Sequence, residues 1–165
     1  MDNKYVLFYR GPFSNFYKAP FKAVCDYDNH GEELLFQTNE QWMMYNKARL
    51  FKDEKCANVI LKLESPVACK LWGRKVKGFD QNEWDKACED IVTKGLICKF
   101  QQNPDLKTLL LSTGTKTLAE ANPNSYIWGI GISIANARTV DPNLWKGQNK
   151  LGKCLMRARD FLLSN

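Results

Sequence analysis

Histidine is nearly missing from this chain: 165 residues contain one, His30, in the turn-like run DNHG. With a single imidazole, neither a His-based zinc site nor Ser-His or Cys-His nucleophilic catalysis is expected. Long apolar runs are missing too, since no stretch approaches the ~20 uninterrupted apolar residues that a membrane-spanning helix needs. No CxxC pair occurs among the six cysteines, Cys25, Cys56, Cys69, Cys88, Cys98 and Cys154. They are scattered at largely apolar positions and read as reduced, buried thiols. A Gly-rich phosphate loop, an internal repeat and a basic run are likewise lacking. Metal and organic cofactors are therefore not expected. The start, MDNKYVLFYRGPF, places Asp2, Lys4 and Arg10 around a short apolar run and does not fit a secretory signal. A soluble cytoplasmic protein with no membrane partner is the expectation.

What is present is a well-mixed globular composition. At 44% hydrophobic and 25% charged residues, the length suits one well-packed domain over residues 1–165. A net charge of +6 and a pI near 9.0 point to an anionic partner, either a phosphate-bearing small molecule or nucleic acid. Nine Phe, six Tyr and five Trp supply rings that could stack bases, although most should belong to the core.

Taken in order, YVLFY reads as a strand that stops at Arg10-Gly11-Pro12. The following GPFSNFYKAPF is too aromatic for an exposed linker and should fold onto something. FKAVCDY and EELLFQT, parted by DNHG with Gly31 free to take a positive φ, read as an antiparallel hairpin. Asp53 caps a helix through CANVILKL, and Ser65-Pro66 is an N-cap and N1 pair for VACKLWGRKV, with Gly73 and Gly78 bracketing its end. The strongest helical period lies in FDQNEWDKACEDIVTKGLICKF, which is expected to be the central core helix. Asn103-Pro104 opens another helix, closed by Gly114, and TKTLAEA and SYIWGIGISI read as two short strands. Leu151, Cys154, Leu155, Ala158 and Leu162 make the apolar stripe of a last helix. The fold class is α+β, helix-dominated, with a small antiparallel sheet.

The stretch EQWMMYNKARLF, from Glu40 to Phe51, is the least ordinary. Thr38 and Gln41 match a capping box, which places Glu40 in the first helical turn, where the macrodipole favours a negative charge. Met44, Lys47, Ala48 and Phe51 follow Glu40 at steps of three or four, so the carboxylate and the amine share a stripe with core-type residues. The stripe reads either as a pocket wall or as a favourable first-turn charge beside a solvated rim lysine. Other polar groups in apolar or aromatic surroundings are Arg10, Asn15, Arg74, the loop around Trp128, and Trp145 with Asn149. Asn149 is equally an N-cap of the last helix, Arg74 a charge at the end of the preceding helix, and Trp84 a core ring.

The ordered segments PFSNFYKAPF, EQWMMYNKARLF, GRKVKGFDQNEW, KFQQNPDLKTLLLSTG, LAEANPNSYIWGIG and WKGQNKLGKCLMRAR resemble the NADAR, or YbiA-like, family from about Phe13 to Arg159. The resemblance implies a compact helix-rich domain with metal-independent N-glycosidase activity. The implied substrates are ribosylated intermediates of early riboflavin synthesis or ADP-ribose attached to a nucleobase, chiefly guanine in DNA. It implies that Glu40 is the catalytic acid of an E-x-x-x-x-x-x-K helix and Lys47 its lysine. Trp84 matches the tryptophan after G-R-x-V, Asn15 the S-N-F asparagine, and Trp128 with Gly129 the W-G-x-G loop. Arg10 or Lys47 would hold phosphate, and Asn149 joins the substrate-binding set. In one departure, Ser125 stands where many members carry an aspartate, which leaves a binding module for ADP-ribose or nucleic acid as the alternative.

Overall fold

The computed structural model describes residues 4–28 and 30–165. Asn29, within the DNHG turn, lies outside the described residues. The chain forms two compact units, Asn15–Asn103 and the described part of Met1–Ser14 with Pro104–Asn165.

Strand β1 (Tyr5–Phe8) precedes the unit of residues 15–103, in which β2 (Phe21–Val24) and β3 (Glu33–Phe36) pair antiparallel, with Phe21 opposite Phe36. Gly31 takes the positive φ (60°) that the turn requires. Four helices follow, α1 (Asn39–Leu50), α2 (Glu54–Leu61), α3 (Pro66–Gly73) and α4 (Gln81–Gln102). The caps are those legible in sequence: the Asp53 carboxylate accepts the Cys56 amide hydrogen and the Ser65 hydroxyl accepts that of Ala68. One expectation changes. The helix at the centre of this unit is α1, packed by α2, α3, α4 and β3, and not the strongly periodic α4. Because α1 is enclosed on most sides, its buried set includes Asn39, Glu40, Gln41 and Asn46 beside Trp42, Met43, Met44 and Tyr45. A helix buried all round loses the one-sided pattern by which sequence reading ranks helices.

Most of these polar groups are paired as burial demands, with Asn39 Oδ1 left without a hydrogen-bond partner. Asn46 donates to the Trp42 carbonyl at 2.8 Å and accepts from the Cys25 thiol at 3.1 Å. Trp42 donates its indole hydrogen to the Ile91 carbonyl at 2.8 Å. The Phe21, Phe36, Trp42 and Tyr45 rings meet in stacked and edge contacts with centroids 5.1–6.1 Å apart. Of the aromatic loop after β1, Phe13 and Phe21 are buried while Phe16 and Tyr17 stay more than a third exposed.

In the other unit, β1 (Tyr5–Phe8) pairs with β4 (Thr117–Glu120) in parallel, Tyr5 opposite Thr117 and Phe8 opposite Glu120. A parallel pair needs a long connection, and residues 15–103 fall within it. Helices α5 (Pro104–Ser112), α6 (Ile134–Ala137) and α7 (Lys150–Ser164) and a 3-10 turn (Pro142–Leu144) complete the unit. The buried stripe of α7 is Leu151, Cys154, Leu155, Ala158 and Leu162, as its spacing predicts. Gly152 lets α7 approach β4, since a Cβ there would collide with the Leu118 carbonyl and the Asn149 amide.

The segment SYIWGIGISI, expected as a strand, is instead a turn-rich loop leading into α6. The local cause is a reversal. Ser125 Oγ accepts the Gly129 amide hydrogen at 3.0 Å, and Gly131 takes φ 76°. The loop's backbone then pairs with residues 147–151 and with β4 through single bonds, not through a ladder. All six cysteines are free thiols, five of them buried. No helix among the described residues is long and apolar enough to cross a membrane.

Candidate functional site

Glu40 is held by its backbone before its side chain is considered. Its amide hydrogen goes to the Asn15 carbonyl at 2.9 Å. The Asn15 side-chain oxygen accepts from Asn39 Nδ2 at 2.8 Å, so loop and helix start are clamped twice. Thr38 Oγ1 accepts the Gln41 amide hydrogen at 3.1 Å. Gln41 Oε1 reaches back to the Gln37 amide, one residue earlier than a capping box would use. Its Nε2 donates to the carbonyls of Ile60, Leu61 and Leu63, which ties the start of α1 to the end of α2. The result is a carboxylate only 4% exposed in the first turn of a rigid helix, where the helix dipole favours its charge.

Lys47 stands seven residues on. Two turns of helix bring it nearly under Glu40, about 10 Å along the axis, and helical side chains lean back toward the N-terminus. Its ammonium lies over two rings, 4.6 Å from the Phe79 centroid and 5.6 Å from that of Trp84. Burial pushes the Lys47 pKa down, the Glu40 charge opposes that fall, and Arg74 adds a smaller repulsion. Gly73 sits where a Cβ would collide with the Met44 sulfur, so α3 runs close against the Glu40 stripe. Cys69 on α3 has its pKa pushed up to about 11 by burial and by the Glu40 charge. Both causes favour the neutral thiol over the nucleophilic thiolate.

Trp84 is buried at the start of α4, its ring toward Lys47, so it combines the core and site readings. Phe79, 40% exposed and packed 5.3 Å from Phe51, was not singled out in sequence. The signal for it was an aromatic directly after Gly78, whose positive φ (76°) turns the chain there. Asn39 was missed as well, because a polar residue inside a helix pattern gives no periodic signal, and Gln41 was read only as a capping residue and not as the tie to α2.

In the unit containing β1 and β4, the W-G-x-G loop meets the start of α7. The amides of Asn149, Lys150 and Leu151 donate to the carbonyls of Gly129, Ile127 and Trp128 at 3.0, 3.1 and 3.0 Å. Asn149 takes the N-cap position in a left-handed conformation (φ 53°), yet its side chain makes no cap bond. It bridges β4 instead, accepting from the Glu120 amide at 3.2 Å and donating to the Leu118 carbonyl at 2.9 Å. Gly129 is required by closeness, since a Cβ would lie 2.9 Å from the Glu120 carbonyl oxygen. Trp128 is half-buried, with the Lys150 ammonium 6.0 Å from its ring. Trp145 packs edge-on against Tyr5 with centroids 5.3 Å apart.

Seven of the eight expected site residues thus fall into two sets, one in each unit. Asn15, Glu40, Lys47 and Trp84 form the first, and Trp128, Gly129 and Asn149 the second. Arg10 joins neither: it is exposed in a left-handed turn (φ 62°) with its guanidinium 5.2 Å from the Tyr9 ring. Among the described residues no cluster of His, Cys, Asp and Glu is placed to hold a metal ion. A hollow of about 420 Å³ on α2, lined by Glu54, Lys55, Asn58, Val59 and Lys62, includes none of the site residues.

A helix-rich α+β chain that buries one carboxylate in a helix N-terminus, with a lysine and two rings near it, carries groups suited to hydrolytic chemistry. The NADAR domain family matches residues 7–163, and the chain belongs to it. N-glycosidase R617 of Acanthamoeba polyphaga mimivirus is 42% identical over 148 residues, covering 90% of this chain and 85% of that protein. N-glycosidase YbiA of Escherichia coli strain K12 is 31% identical over 92% of this chain and 81% of its own length. The NMR structure of E. coli YbiA superposes with a TM-score of 0.75 at 30% identity, covering 99% of this chain and 88% of that one. The maize riboflavin biosynthesis protein PYRR, chloroplastic, is 28% identical over 93% of this chain, which spans 23% of that longer protein.

Proposed function

We infer that this chain is an N-glycosidase, and propose that it hydrolyses the bond between a ribose and a base or amine nitrogen. The observation that carries the reading is the buried Glu40 carboxylate, backbone-clamped to Asn15, with Lys47 under the Phe79 and Trp84 rings. Breaking a ribosyl C–N bond leaves its electron pair on nitrogen and positive charge on the sugar. A fixed carboxylate stabilises that charge and takes a proton from the attacking water, whose oxygen ends on the ribose carbon while the departing nitrogen gains a proton.

Lys47 suits an orienting role better than a phosphate clamp. Its burial and the rings above it leave an amine whose electrostatic partner is Glu40, whereas a phosphate grip favours an exposed, fully charged cation. Trp84 supplies a flat wall for the base or ribose. Asn15 would shape the substrate's surroundings beside Glu40, while Trp128, Gly129, Asn149 and Arg10, in the other unit, are proposed as substrate-binding on the family resemblance alone.

The substrate is either ADP-ribosyl-guanine in DNA or a ribosylated intermediate of early riboflavin synthesis. The basic net charge favours the first, and the similarity to the maize riboflavin protein favours the second. Ser125 at the usual aspartate position motivates the alternative, a catalytically impaired binding module; here its hydroxyl accepts the Gly129 amide hydrogen and so holds the loop's shape. The test is one side-by-side assay of both substrates with wild type and Glu40→Gln. Release of free base or amine by wild type and its loss in Glu40→Gln is expected. Retention of ADP-ribosylated DNA without release would favour the binder, and equal turnover in the variant would remove Glu40 from the chemistry.

A further inference from the structure

Beside the Glu40 stripe runs the segment Pro66–Phe79, PVACKLWGRKVKGF, whose cations the proposed chemistry does not use. It carries Lys70, Arg74, Lys75 and Lys77 and no acid, against a net charge of +6 for the whole chain. All four cations are exposed. So are large apolar groups among them: Leu71 is 49% exposed and Phe79 40%.

Two contacts connect this face to the site. The Lys70 ammonium lies 5.8 Å from the ring of Phe16, itself 37% exposed and adjacent to the Asn15 that holds Glu40. Phe79 covers the Lys47 ammonium, and the Arg74 charge is near enough to oppose that of Lys47. Two ring-and-cation groups therefore adjoin the Glu40 site, Lys70 with Phe16 next to Asn15, and Phe79 over Lys47 with the Arg74 charge near by. The α3 C-terminus accounts for Lys70 and Arg74 through its dipole and Asp53 for Lys77, but neither accounts for the part-exposed rings beside them.

We propose that Phe16, Lys70, Arg74, Lys75, Lys77 and Phe79 form a docking surface for single-stranded nucleic acid that runs past the Glu40 site. The cations neutralise backbone phosphates, and Phe16 and Phe79 stack bases on either side of the nucleotide presented to Glu40. A single strand fits better than a duplex because exposed rings can meet only unpaired base faces. The surface deepens the N-glycosidase reading by making a nucleic-acid strand the carrier of the ribosyl group, and it rests on that reading for its biological purpose.

The test measures equilibrium affinity of the full chain for a labelled, unmodified single-stranded DNA of about twelve nucleotides by fluorescence anisotropy across a salt series. Affinity should fall with salt at about 0.7 logarithmic units per neutralised phosphate. The triple variant Lys70→Ala/Lys75→Ala/Lys77→Ala should reduce the slope by about two. The triple variant Lys116→Ala/Arg138→Ala/Lys153→Ala, with the same charge loss elsewhere, should leave it near wild type. Phe16→Ala should weaken binding about tenfold with the slope unchanged. Thermal melts confirm that each variant is folded. Absent binding, equal slopes in wild type and the first triple variant, or equal losses in both triple variants would overturn the proposal. Tighter binding to anionic phospholipid vesicles, lost in the first triple variant, would reassign the surface to a membrane. Binding is read without turnover, so failure here leaves the glycosidase assay standing, and failure of that assay leaves the affinity result intact.

Discussion

The Asn15 carbonyl accepts the Glu40 amide hydrogen at 2.9 Å, so an aromatic loop, and not a side-chain cap alone, fixes where the buried carboxylate begins its helix. The Asn15 side chain adds the bond from Asn39. Asn15→Ala should therefore leave a buried Asn39 donor with its weaker contact to the Val92 carbonyl at 3.4 Å. The expected loss is about 1–3 kcal/mol in urea unfolding, with turnover falling more than the substrate KM changes. Unchanged stability would mean that the loop is not what holds the helix start.

Glu40→Gln preserves shape and removes charge. Turnover should drop by orders of magnitude with the melting temperature nearly unchanged. The same substitution removes the attraction that resists the downward shift of Lys47, so the Lys47 pKa should fall further. NMR titration of the lysine side chain checks the second outcome independently of activity.

Ser125→Ala removes the acceptor for the Gly129 amide hydrogen, and should cost about 1 kcal/mol of stability together with part of the activity. Ser125→Asp restores an acceptor oxygen and should keep the fold and the turnover of wild type. Equal behaviour of the two variants in unfolding and rate measurements would separate this residue from the loop's shape.

Gly95 on α4 faces α1 so closely that a Cβ would collide with Asn39 Oδ1 and the Trp42 ring. Gly95→Ala should destabilise by about 1–3 kcal/mol through overpacking, although alanine is the better helix former. A denaturation midpoint equal to wild type or higher would contradict this.

Lys99 is fully buried on α4, its ammonium 5.0 Å from the Phe100 ring and 5.7 Å from that of Tyr17. Burial lowers its pKa from 10.5 to about 7. Between those values the unfolded chain holds a proton that the native state lacks, so this group's contribution to stability rises with pH across the window and is flat below it. Relative to Lys99→Met, the wild-type midpoint in urea should climb from about pH 7 to 9, and the two curves should run parallel under acidic conditions.

Most local structure was legible before any coordinates. The caps Thr38, Asp53 and Ser65, the hairpin turned at Gly31, and the stripe of α7 are each set by residues within a few positions, and local hydrogen bonds and φ preferences decide them. The ordered motifs also carried the family, because six segments in one order constrain more than any single pattern. Tertiary structure alone decided that α1, not α4, is the enclosed helix, since a helix covered on all sides has no amphipathic signature. It also turned SYIWGIGISI from an expected strand into a loop, because its amide and carbonyl partners lie in residues 147–151 and β4, distant in sequence. The charged stripe is the clearest division: spacing placed Glu40 and Lys47 on one face, but only packing set the rings of Phe79 and Trp84 over the lysine. Helical period acts over a few residues, whereas burial, and with it the electrostatics of a site, depends on what the rest of the chain folds against it.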